Sequence, residues 1–325
     1  MVSRTDTRAG LAARAGAVAA GIALDRLLGE PPQKFHPVAR FGSGMVAAEK
    51  RLYADTRVGG AVYAAAGTGM ATAAGLALSL SRRNRPWQAV ALATYLAVAG
   101  RELGEAARSV ALPLVSGDLA EARAALPALV GRDPWSLDEA GVARAVVESV
   151  AENTVDAVIA PALWAAIGGA PAVLGYRAVN TLDAMVGHRS PRYARFGWAA
   201  ARLDDLAAWV PARLTAALVA AVRPGTCRRV ARAVHRQAPL HPSPNAGVAE
   251  AAFAAALGVT LGGTNVYGGE VDERPLLGDG PEACAVDIER AVSLSRDVTA
   301  AFAAALAVPA MVRTVTSLRE AGARR

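Results

Sequence analysis

The chain alternates between long stretches without charge and shorter stretches rich in charged residues. Residues 58–81 carry no charged side chain over 24 positions, and as an α-helix they would be about 36 Å long. That length crosses the ~30 Å hydrocarbon core of a bilayer. Further apolar runs lie at 86–100, 157–176, 206–222, 246–263 and 298–312. The pattern predicts apolar helices that cross or enter a membrane.

Proline and glycine interrupt the run at 157–176, at Pro161, Gly168, Gly169 and Pro171. A broken helix is tolerated at membrane depth where neighbouring protein or a wet cavity satisfies the freed backbone groups. The sequence therefore predicts a broken helix in this run.

Three polar excursions separate the apolar runs, near residues 101–150, 223–245 and 264–297. The first is amphipathic and predicts helices at the membrane surface or outside it, whereas the third is loop-like. No stretch alternates between polar and apolar residues for long enough to predict a sheet. We expect an all-α, multi-pass transmembrane protein with broken helices and polar helical loops, forming a single membrane-embedded helical domain over residues 1–325.

Local signals predict where two helices of the first excursion begin. Ser136 with Glu139 matches a capping box, and Asp118 with Glu121 is a weaker version of the same pattern.

The first apolar segment, residues 15–24, follows Arg4, Arg8 and Arg14 and resembles a secretory signal peptide. The sequence DRLLGEPP comes directly after it, without a small-residue cleavage site. We therefore predict a retained first helix.

Composition supports a membrane protein. The chain is 53% hydrophobic and 19% charged, with a mean hydropathy of +0.27, whereas soluble proteins carry about 25% charged residues. The net charge of +7 comes mostly from Arg residues at the ends of apolar stretches, which is typical of a positive-inside bias and argues against nucleic-acid binding.

Cys227 and Cys284 lie far apart in sequence and predict neither a disulfide scaffold nor a zinc site.

Acidic residues recur every four positions before the broken run, at Glu148, Glu152 and Asp156, with Asn153 beside them. On a helix they form one stripe. The simpler interpretation is the solvated face of a surface helix. The alternative is a Mg²⁺ site, because Mg²⁺ binds one or two carboxylates, several waters and substrate phosphates. Asp156 favours the alternative, since an acid at the edge of an apolar run indicates function.

The pattern Asn-Thr-aliphatic-Asp-Ala occurs twice, as NTVDA from Asn153 and as NTLDA from Asn180. In the second copy Asn180 and Asp183 follow Arg177, and His188 and Arg189 come next. An acid and an amide beside several cations can hold a metal and an anion together. The alternative interpretation is a positive-inside loop after a buried polar helix.

Asp204 and Asp205 precede the next apolar run and are flanked by Arg202 and Arg213, an arrangement that also fits local salt bridges.

Isolated polar residues complete the candidates. His36 precedes a helical segment, where a histidine is more often a cap than a catalyst. Glu250 lies in an apolar helix and needs a partner, while Ser243 or Asn245 can cap that helix.

The segment GGTNVYGG, which contains Tyr267, offers backbone N–H groups for an anion. The sequence contains neither a GxxxxGK[ST] loop nor a GxGxxG motif between a strand and a helix.

Five motifs in order resemble one family, the cobalamin-biosynthesis proteins of the CobD/CbiB type, the adenosylcobinamide-phosphate synthases. They are LDRLLGEPPQKFHPVARFG, ESVAENTVDAVIAPALWAAIGG, YRAVNTLDAMVGH, RLDDLAAWVPARLTA and HPSPNAGVAEAAFAAALGV with GGTNVYGG. The resemblance covers roughly residues 20–290, whereas 101–140 and the C-terminal region match nothing in the family pattern.

The resemblance implies a multi-pass enzyme of the plasma membrane. Such enzymes join adenosylcobyric acid to 1-amino-2-propanol O-phosphate, or to ethanolamine phosphate, through an amide bond. ATP and Mg²⁺ are the expected cofactors, because a carboxylate must be activated, for example as an acyl phosphate, before an amine attacks it. The expected partners are these substrates, the lipid bilayer and other membrane enzymes of the late pathway, but no nucleic acid. Soluble substrates favour a site on the cytoplasmic side.

We assign roles to the candidates as hypotheses. The catalytic candidates are Glu148, Glu152, Asp156, Asp183, His188, Glu250 and His36, of which Glu152, Asp156 and Asp183 are the metal ligands. The substrate-binding candidates are Asn153, Arg177, Asn180, Arg189, Asp204, Asp205, Arg213, Ser243, Asn245 and Tyr267.

The residues by themselves are also compatible with two other functions. Paired Asn-x-x-Asp motifs fit a Mg²⁺-dependent intramembrane prenyl or phospholipid transferase, although such enzymes usually carry denser acidic motifs. Intramembrane Glu250, Arg213 and broken helices fit a transporter.

Overall fold

The computed structural model describes residues 4–188, 190–267 and 270–322, with side chains for 10–32, 34–188, 190–264 and 273–308. Its helices are α1 (Arg4–Leu28), α2 (Pro37–Leu52), α3 (Arg57–Ser81), α4 (Pro86–Ala97), α5 (Gly100–Val115), α6 (Leu119–Ala125), α7 (Glu139–Thr154), α8 (Ala160–Leu182), α9 (Trp198–Ala207), α10 (Trp209–Val222), α11 (Cys227–Arg236), α12 (Ala246–Leu257) and α13 (Ala285–Gly322). The strands are β1 (Leu261–Tyr267) and β2 (Glu270–Leu277). The all-α prediction is confirmed apart from this hairpin.

The hairpin corrects the expectation that the third excursion is loop-like. Strands β1 and β2 pair antiparallel, with Leu261 opposite Leu277 and an irregular register before Gly263. Leu261 and Leu277 are both fully buried. Glycines at 262 and 263 and a proline at 275 obscure the period-two alternation that identifies a strand in a sequence.

Three helical segments are long and apolar enough to cross a membrane: Arg57–Ser81, Glu139–Gly187 and Ala285–Val308. A fourth is obtained if Trp198–Ala207 and Trp209–Val222 are counted as one broken span. Only 22% of the apolar window of α3 is buried, and Val62, Met70 and Leu76 are exposed along it. Such an apolar outer surface is suited to lipid.

The chain folds into two compact units, each assembled from separate stretches of sequence. Unit 1 consists of Met1–Ala99, Ala157–Ala207 and Phe302–Arg325, and unit 2 of Gly100–Asp156 and Ala208–Ala301. All three polar excursions predicted from the sequence fall within unit 2. They are therefore parts of one unit rather than unrelated loops.

In unit 1, helix α3 packs along α8. Gly75 allows the two helices to approach closely, because a Cβ at this position would lie 2.5 Å from the carbonyl oxygen of Ala170. Small residues commonly permit such contacts between apolar helices. Helix α8 contains the predicted break, at Gly169, whose φ is 68°.

In unit 2, helix α12 is buried against α7, α10 and α11. The first part of α13 is fixed by hydrogen bonds, since Ser295 Oγ lies 2.7 Å from Thr154 Oγ1 and Arg290 donates to the carbonyl oxygen of Leu257 at 2.6 Å. The hairpin contacts both α7 and α12. Glu250 on α12 consequently sits in an enclosed environment.

The capping prediction at Ser136 is wrong, whereas the one at Asp118 is confirmed. Helix α7 begins at Glu139, and Asp138 caps it by accepting a hydrogen bond from the Gly141 N–H. Ser136 instead ends a short 3₁₀ turn that Pro134 opens. The N-cap of α7 therefore lies two residues after Ser136, at Asp138.

Candidate active site

Three glutamates come together in unit 2. Glu148 and Glu152 lie one turn apart on α7, so their side chains share one face. Glu250 extends from α12, and its carboxyl is hydrogen-bonded to that of Glu152. Two carboxyl groups can bond in this way only if one of them carries a proton. The Glu152–Glu250 pair therefore shares a proton.

Glu148 is held as the charged member of the group. Its Oε2 accepts a hydrogen bond of 2.7 Å from Arg132 Nη2, and its Oε1 accepts one of 2.8 Å from the Gly262 N–H. The side chains of Arg132 and Glu148 are only 9% and 6% exposed. Charged donors and a backbone N–H stabilise an ionised carboxylate at this position.

His241 and Arg274 complete the cluster. Arg274 Nη1 lies 2.8 Å from His241 Nε2, and because a guanidinium only donates, Nε2 must accept. His241 Nδ1 lies 3.1 Å from the Ser243 nitrogen and 3.2 Å from the Ser243 carbonyl oxygen. His241 Nε2 is also 3.8 Å from Glu250 Oε1.

The electrostatic environment disfavours the charged form of Glu250. Burial first, and the Glu152 and Glu148 carboxylates next, raise the pKa of Glu250 well above its usual value, while Arg274 opposes the shift. Two arginines offset Glu148 and the single negative charge shared by the Glu152–Glu250 pair. The cluster is therefore close to neutral with one exchangeable proton inside it.

An open cavity of about 500 Å³ adjoins this cluster. Gly262 belongs to both, because it lines the cavity and also donates to Glu148. Arg144, one turn before Glu148, lines the cavity and donates to the carbonyl oxygens of Gly262 and Thr264. The remaining wall is formed by Ser136, Leu137, Asp138, Ala140, Gly141, Thr260, Gly263, Thr264, Leu276 and Glu282.

The two Asn-Thr-aliphatic-Asp motifs share a structural feature. Each leads into a π-helical turn, at Val155–Ile159 for the first copy and at Asp183–Gly187 for the second. Such turns are rare and occur frequently at functional sites. The sequence echo therefore corresponds to a repeated local structure that changes the helical spacing around Asp156 and Asp183.

Unit 1 contains a second polar cluster around the second motif. Arg177 Nη1 donates to Asn180 Oδ1 at 3.1 Å, and Asn180 Nδ2 donates to Asp204 Oδ1 at 3.3 Å. Asp183 is close enough to Asp204 and Asp205 to interact with their charges. The structure thus brings together a set of residues that the sequence singled out in two separate motifs.

The residues of unit 1 that could contribute oxygen atoms to a Mg²⁺ site are Asp183, Asp204 and Asn180, whose Oδ1 accepts from Arg177. Among the residues that the structure describes, no group of three or more His, Cys, Asp or Glu is arranged to hold a metal alone. Arg132 and Arg274 interact with Glu152 and disfavour a further cation there. Asp183, Asp204 and Asn180 offer the oxygen donors that Mg²⁺ prefers, with room for substrate phosphates among its ligands. The set Glu152, Asp156 and Asp183 stays a prediction, with its first two members in unit 2 and Asp183 in unit 1.

Two predicted histidines of unit 1 make local contacts. His36 caps α2, accepting from the Val38 N–H at 3.3 Å, and its Nε2 lies 3.5 Å from Glu30. His188 packs edge-on against the ring of Tyr193. The His36 contacts fit a capping role, and the proposed chemical roles of both histidines stay predictions.

Other predicted residues hold local structure. Ser243 Oγ caps α12 by accepting from the Ala246 N–H, and Arg213 joins α10 to the turn before α12 through Asn245 Oδ1 and the Pro244 carbonyl oxygen. Asn153 donates to the Ser149 carbonyl oxygen within α7. Arg189 and the side chain of Tyr267 lie outside the described residues.

Sequence reasoning missed Arg132, His241 and Arg274. The buried charge of Glu250 indicated that a partner must exist, but not which residue supplies it. His241 could have been found, because it precedes α12 within the same motif. Arg132 and Arg274 gave no local signal among the many arginines of the chain.

Comparisons with known proteins agree with the motifs. The family described as CobD/Cbib protein matches residues 18–295. The chain is 51% identical to cobalamin biosynthesis protein CobD of Mycobacterium tuberculosis over 304 residues, covering 92% of this chain and 96% of the relative. It is 47% identical to the Geobacter metallireducens protein of that name, covering 82% and 87%, and 40% identical to the Rhodobacter capsulatus one, covering 91% and 97%.

No solved structure matches the chain. The family match nevertheless extends over most of the sequence and includes both polar clusters. This protein belongs to the CobD/CbiB family.

Proposed function

We propose that this protein is an adenosylcobinamide-phosphate synthase of cobalamin biosynthesis. It joins the carboxylate of adenosylcobyric acid to the amine of 1-amino-2-propanol O-phosphate, or of ethanolamine phosphate, through an amide bond. Family membership supports the pathway. The observation that carries the chemistry is the cluster of Glu148, Glu152 and Glu250 beside a cavity, in which Glu148 and Glu250 are buried and Glu152 is partly buried.

Amide formation from a carboxylate and an ammonium ion releases one water. ATP is the proposed co-substrate, and its cleavage to ADP and phosphate consumes that water. Before the C–N bond can form, the ammonium must lose a proton to expose its lone pair. The residues of the protein therefore have to accept a proton in a site that excludes bulk water.

The Glu152–Glu250 pair suits this task. It holds one proton and one negative charge, so it can accept the proton of the ammonium and later release it. A carboxylate whose pKa is raised toward neutrality is an effective general base. It is a stronger proton acceptor than an ordinary carboxylate, and a useful fraction of it is still ionised near neutral pH. Glu148 accepts a hydrogen bond from the Gly262 N–H, and Gly262 also lines the cavity.

The cavity suits the amino-alcohol phosphate. A volume of about 500 Å³ is typical of sites for small ligands, and it is too small to enclose the corrin ring. Arg144 offers a charge for the phosphate, and Asp138 and Glu282 offer carboxylates for the ammonium. The corrinoid carboxylate would then approach from the open side.

Asp183, Asp204 and Asn180 would hold Mg²⁺, and Arg177 would contact phosphate oxygens. Bound Mg²⁺ neutralises phosphate charge during transfer. We place the protein in the plasma membrane with its site on the cytoplasmic side, because its proposed substrates are soluble metabolites.

Reconstitution tests the proposal directly. Purified protein is incubated with adenosylcobyric acid, ATP, Mg²⁺ and each amine in turn, and the corrinoid is followed by mass spectrometry. We expect the mass of the amide with one amine, and none when ATP is omitted. Consumption of a polyprenyl diphosphate, or corrinoid uptake into proteoliposomes without a mass change, would contradict the proposal.

A further inference from the structure

Helix α11 carries a basic face that the proposed reaction does not use. At about 100° per residue, Arg228, Arg232, Arg236 and Arg229 fall within about 100° of the helix circumference. All four are exposed. Val230 and Ala233 are buried on the other side, where α11 packs against α10 and α12.

The four arginines lack partners of opposite charge. No Asp or Glu occurs between residues 223 and 237. Within the side chains that the structure describes, none of the four guanidinium groups makes an ion pair. The neighbouring Arg223, by contrast, pairs with Asp297 at 2.7 Å. The face of α11 is therefore a concentrated positive charge without a counter-ion among the side chains that the structure describes.

The position of α11 indicates what supplies the counter-ions. It follows α10, the second half of the candidate broken span, after only the residues Arg223–Thr226. A basic segment directly after a membrane span lies at the level of lipid headgroups, where anionic lipids attract it.

We propose that the arginine face of α11 binds the headgroups of anionic phospholipids. The apolar face is already buried in unit 2, so the helix lies along the surface and does not insert. Because positive segments are retained on the cytoplasmic side, this contact holds α11 at the cytoplasmic leaflet. The inference does not depend on the reaction proposed above.

The test uses full-length protein purified in detergent and titrated with fluorescent phosphatidylglycerol or phosphatidylcholine. We expect tighter binding of phosphatidylglycerol, which weakens as salt is added. Replacing two arginines of the face, as R228Q/R232Q, should weaken phosphatidylglycerol binding about tenfold or more. The matched control R101Q/R108Q removes the same charge from arginines that already pair with Glu105 and Glu289, and should bind like the parent.

Each outcome is decisive. Equal binding of the two lipids by the parent protein, or unchanged binding by R228Q/R232Q, would overturn the proposal. Displacement of the lipid by inorganic phosphate beyond that caused by sodium chloride at the same ionic strength would also overturn it, because the face would then serve a soluble phosphate ligand. If R228Q/R232Q does not fold, the lipid preference of the parent protein and its dependence on salt still test the proposal.

Discussion

Arg132 Nη2 lies 2.7 Å from Glu148 Oε2, and both side chains are more than nine-tenths buried. A charge buried this deeply is tolerated only with its partner, because neither group can regain the water that it lost on folding. The pair therefore fixes the ionised glutamate against which the proton-sharing Glu152–Glu250 pair is arranged.

Breaking the pair should destabilise the protein strongly. Arg132→Met leaves Glu148 charged and buried, and we expect a loss of about 3–5 kcal/mol, measured by denaturant unfolding in detergent. Arg108→Met is the control, since the Arg108–Glu289 pair is 38% and 53% exposed and such pairs contribute about 0–1 kcal/mol. Equal losses in the two variants would contradict the assignment of Arg132.

Removing the exchangeable proton should abolish activity without removing the fold. Glu250→Gln keeps the size and hydrogen-bonding capacity of the side chain, but it cannot accept a proton. We expect amide formation to fall about 10²-fold or more, measured by mass spectrometry of the corrinoid product. Glu121→Gln, at an exposed position on α6, should keep parental activity. A Glu250→Gln variant with normal turnover would exclude Glu250 from the proton transfer.

The stability of the protein should depend on the ionisation of Glu250. Its pKa is raised in the folded state, so the unfolded chain releases the proton at a lower pH than the folded protein does. The stability contributed by this group is complete below the unfolded pKa and is lost as pH rises through the folded pKa.

We expect the unfolding temperature to fall as the pH rises through the raised pKa of Glu250, and to fall less in Glu250→Gln. If the unfolding temperature depended on pH in the same way in the parent protein and in Glu250→Gln, Glu250 would not be the group that causes the pH dependence.

The unit 1 cluster should control the response to Mg²⁺. Asp183→Asn and Asp204→Asn remove carboxylate ligands, and we expect each to raise the Mg²⁺ concentration needed for thermal stabilisation and for turnover about tenfold or more. Asp156→Asn tests whether unit 2 contributes a ligand. Asp55→Asn, an exposed acid of unit 1, is the control. Unchanged Mg²⁺ dependence in both Asp183→Asn and Asp204→Asn would place the metal elsewhere.

The hairpin should tolerate no side chain at position 262. Gly262 has φ +86°, and a Cβ there would lie 2.1 Å from the Pro275 carbonyl oxygen. Gly262→Ala should therefore cost about 1–3 kcal/mol, measured by unfolding, and should weaken activity by displacing the N–H that holds Glu148. Gly225→Ala, where a Cβ meets nothing within 4 Å, should be neutral. If Gly262→Ala changed neither stability nor activity, the hairpin would be able to shift relative to α7 without cost.

The sequence alone predicted much of the secondary structure. The uncharged run at 58–81 forms most of α3, as predicted, because a stretch of 24 uncharged residues bounded by arginines is long enough for a membrane-spanning helix. Asp118 capped α6 as predicted, since a cap depends only on residues three positions apart. The hairpin was missed because its glycines and proline break the local alternation on which strand prediction depends.

The candidate site was predictable as a list of residues but not as an arrangement. Glu148, Glu152 and Glu250 were each conspicuous as acids beside apolar sequence. Their partners come from distant parts of the chain, and the Gly262 N–H that binds Glu148 lies 114 residues away. Only the tertiary structure could show which glutamate is paired with Arg132 and which two share a proton.

The sequence by itself determined the family, the apolar helices and the acids that need partners, because these depend on residue type and short spacing. The tertiary structure decided that the polar excursions belong to one unit, that both Asn-Thr motifs end in π-helical turns, and that His241 and Arg274 complete the glutamate cluster. Those outcomes follow from long-range packing and from the need to compensate each buried charge, which the order of residues along the chain does not specify.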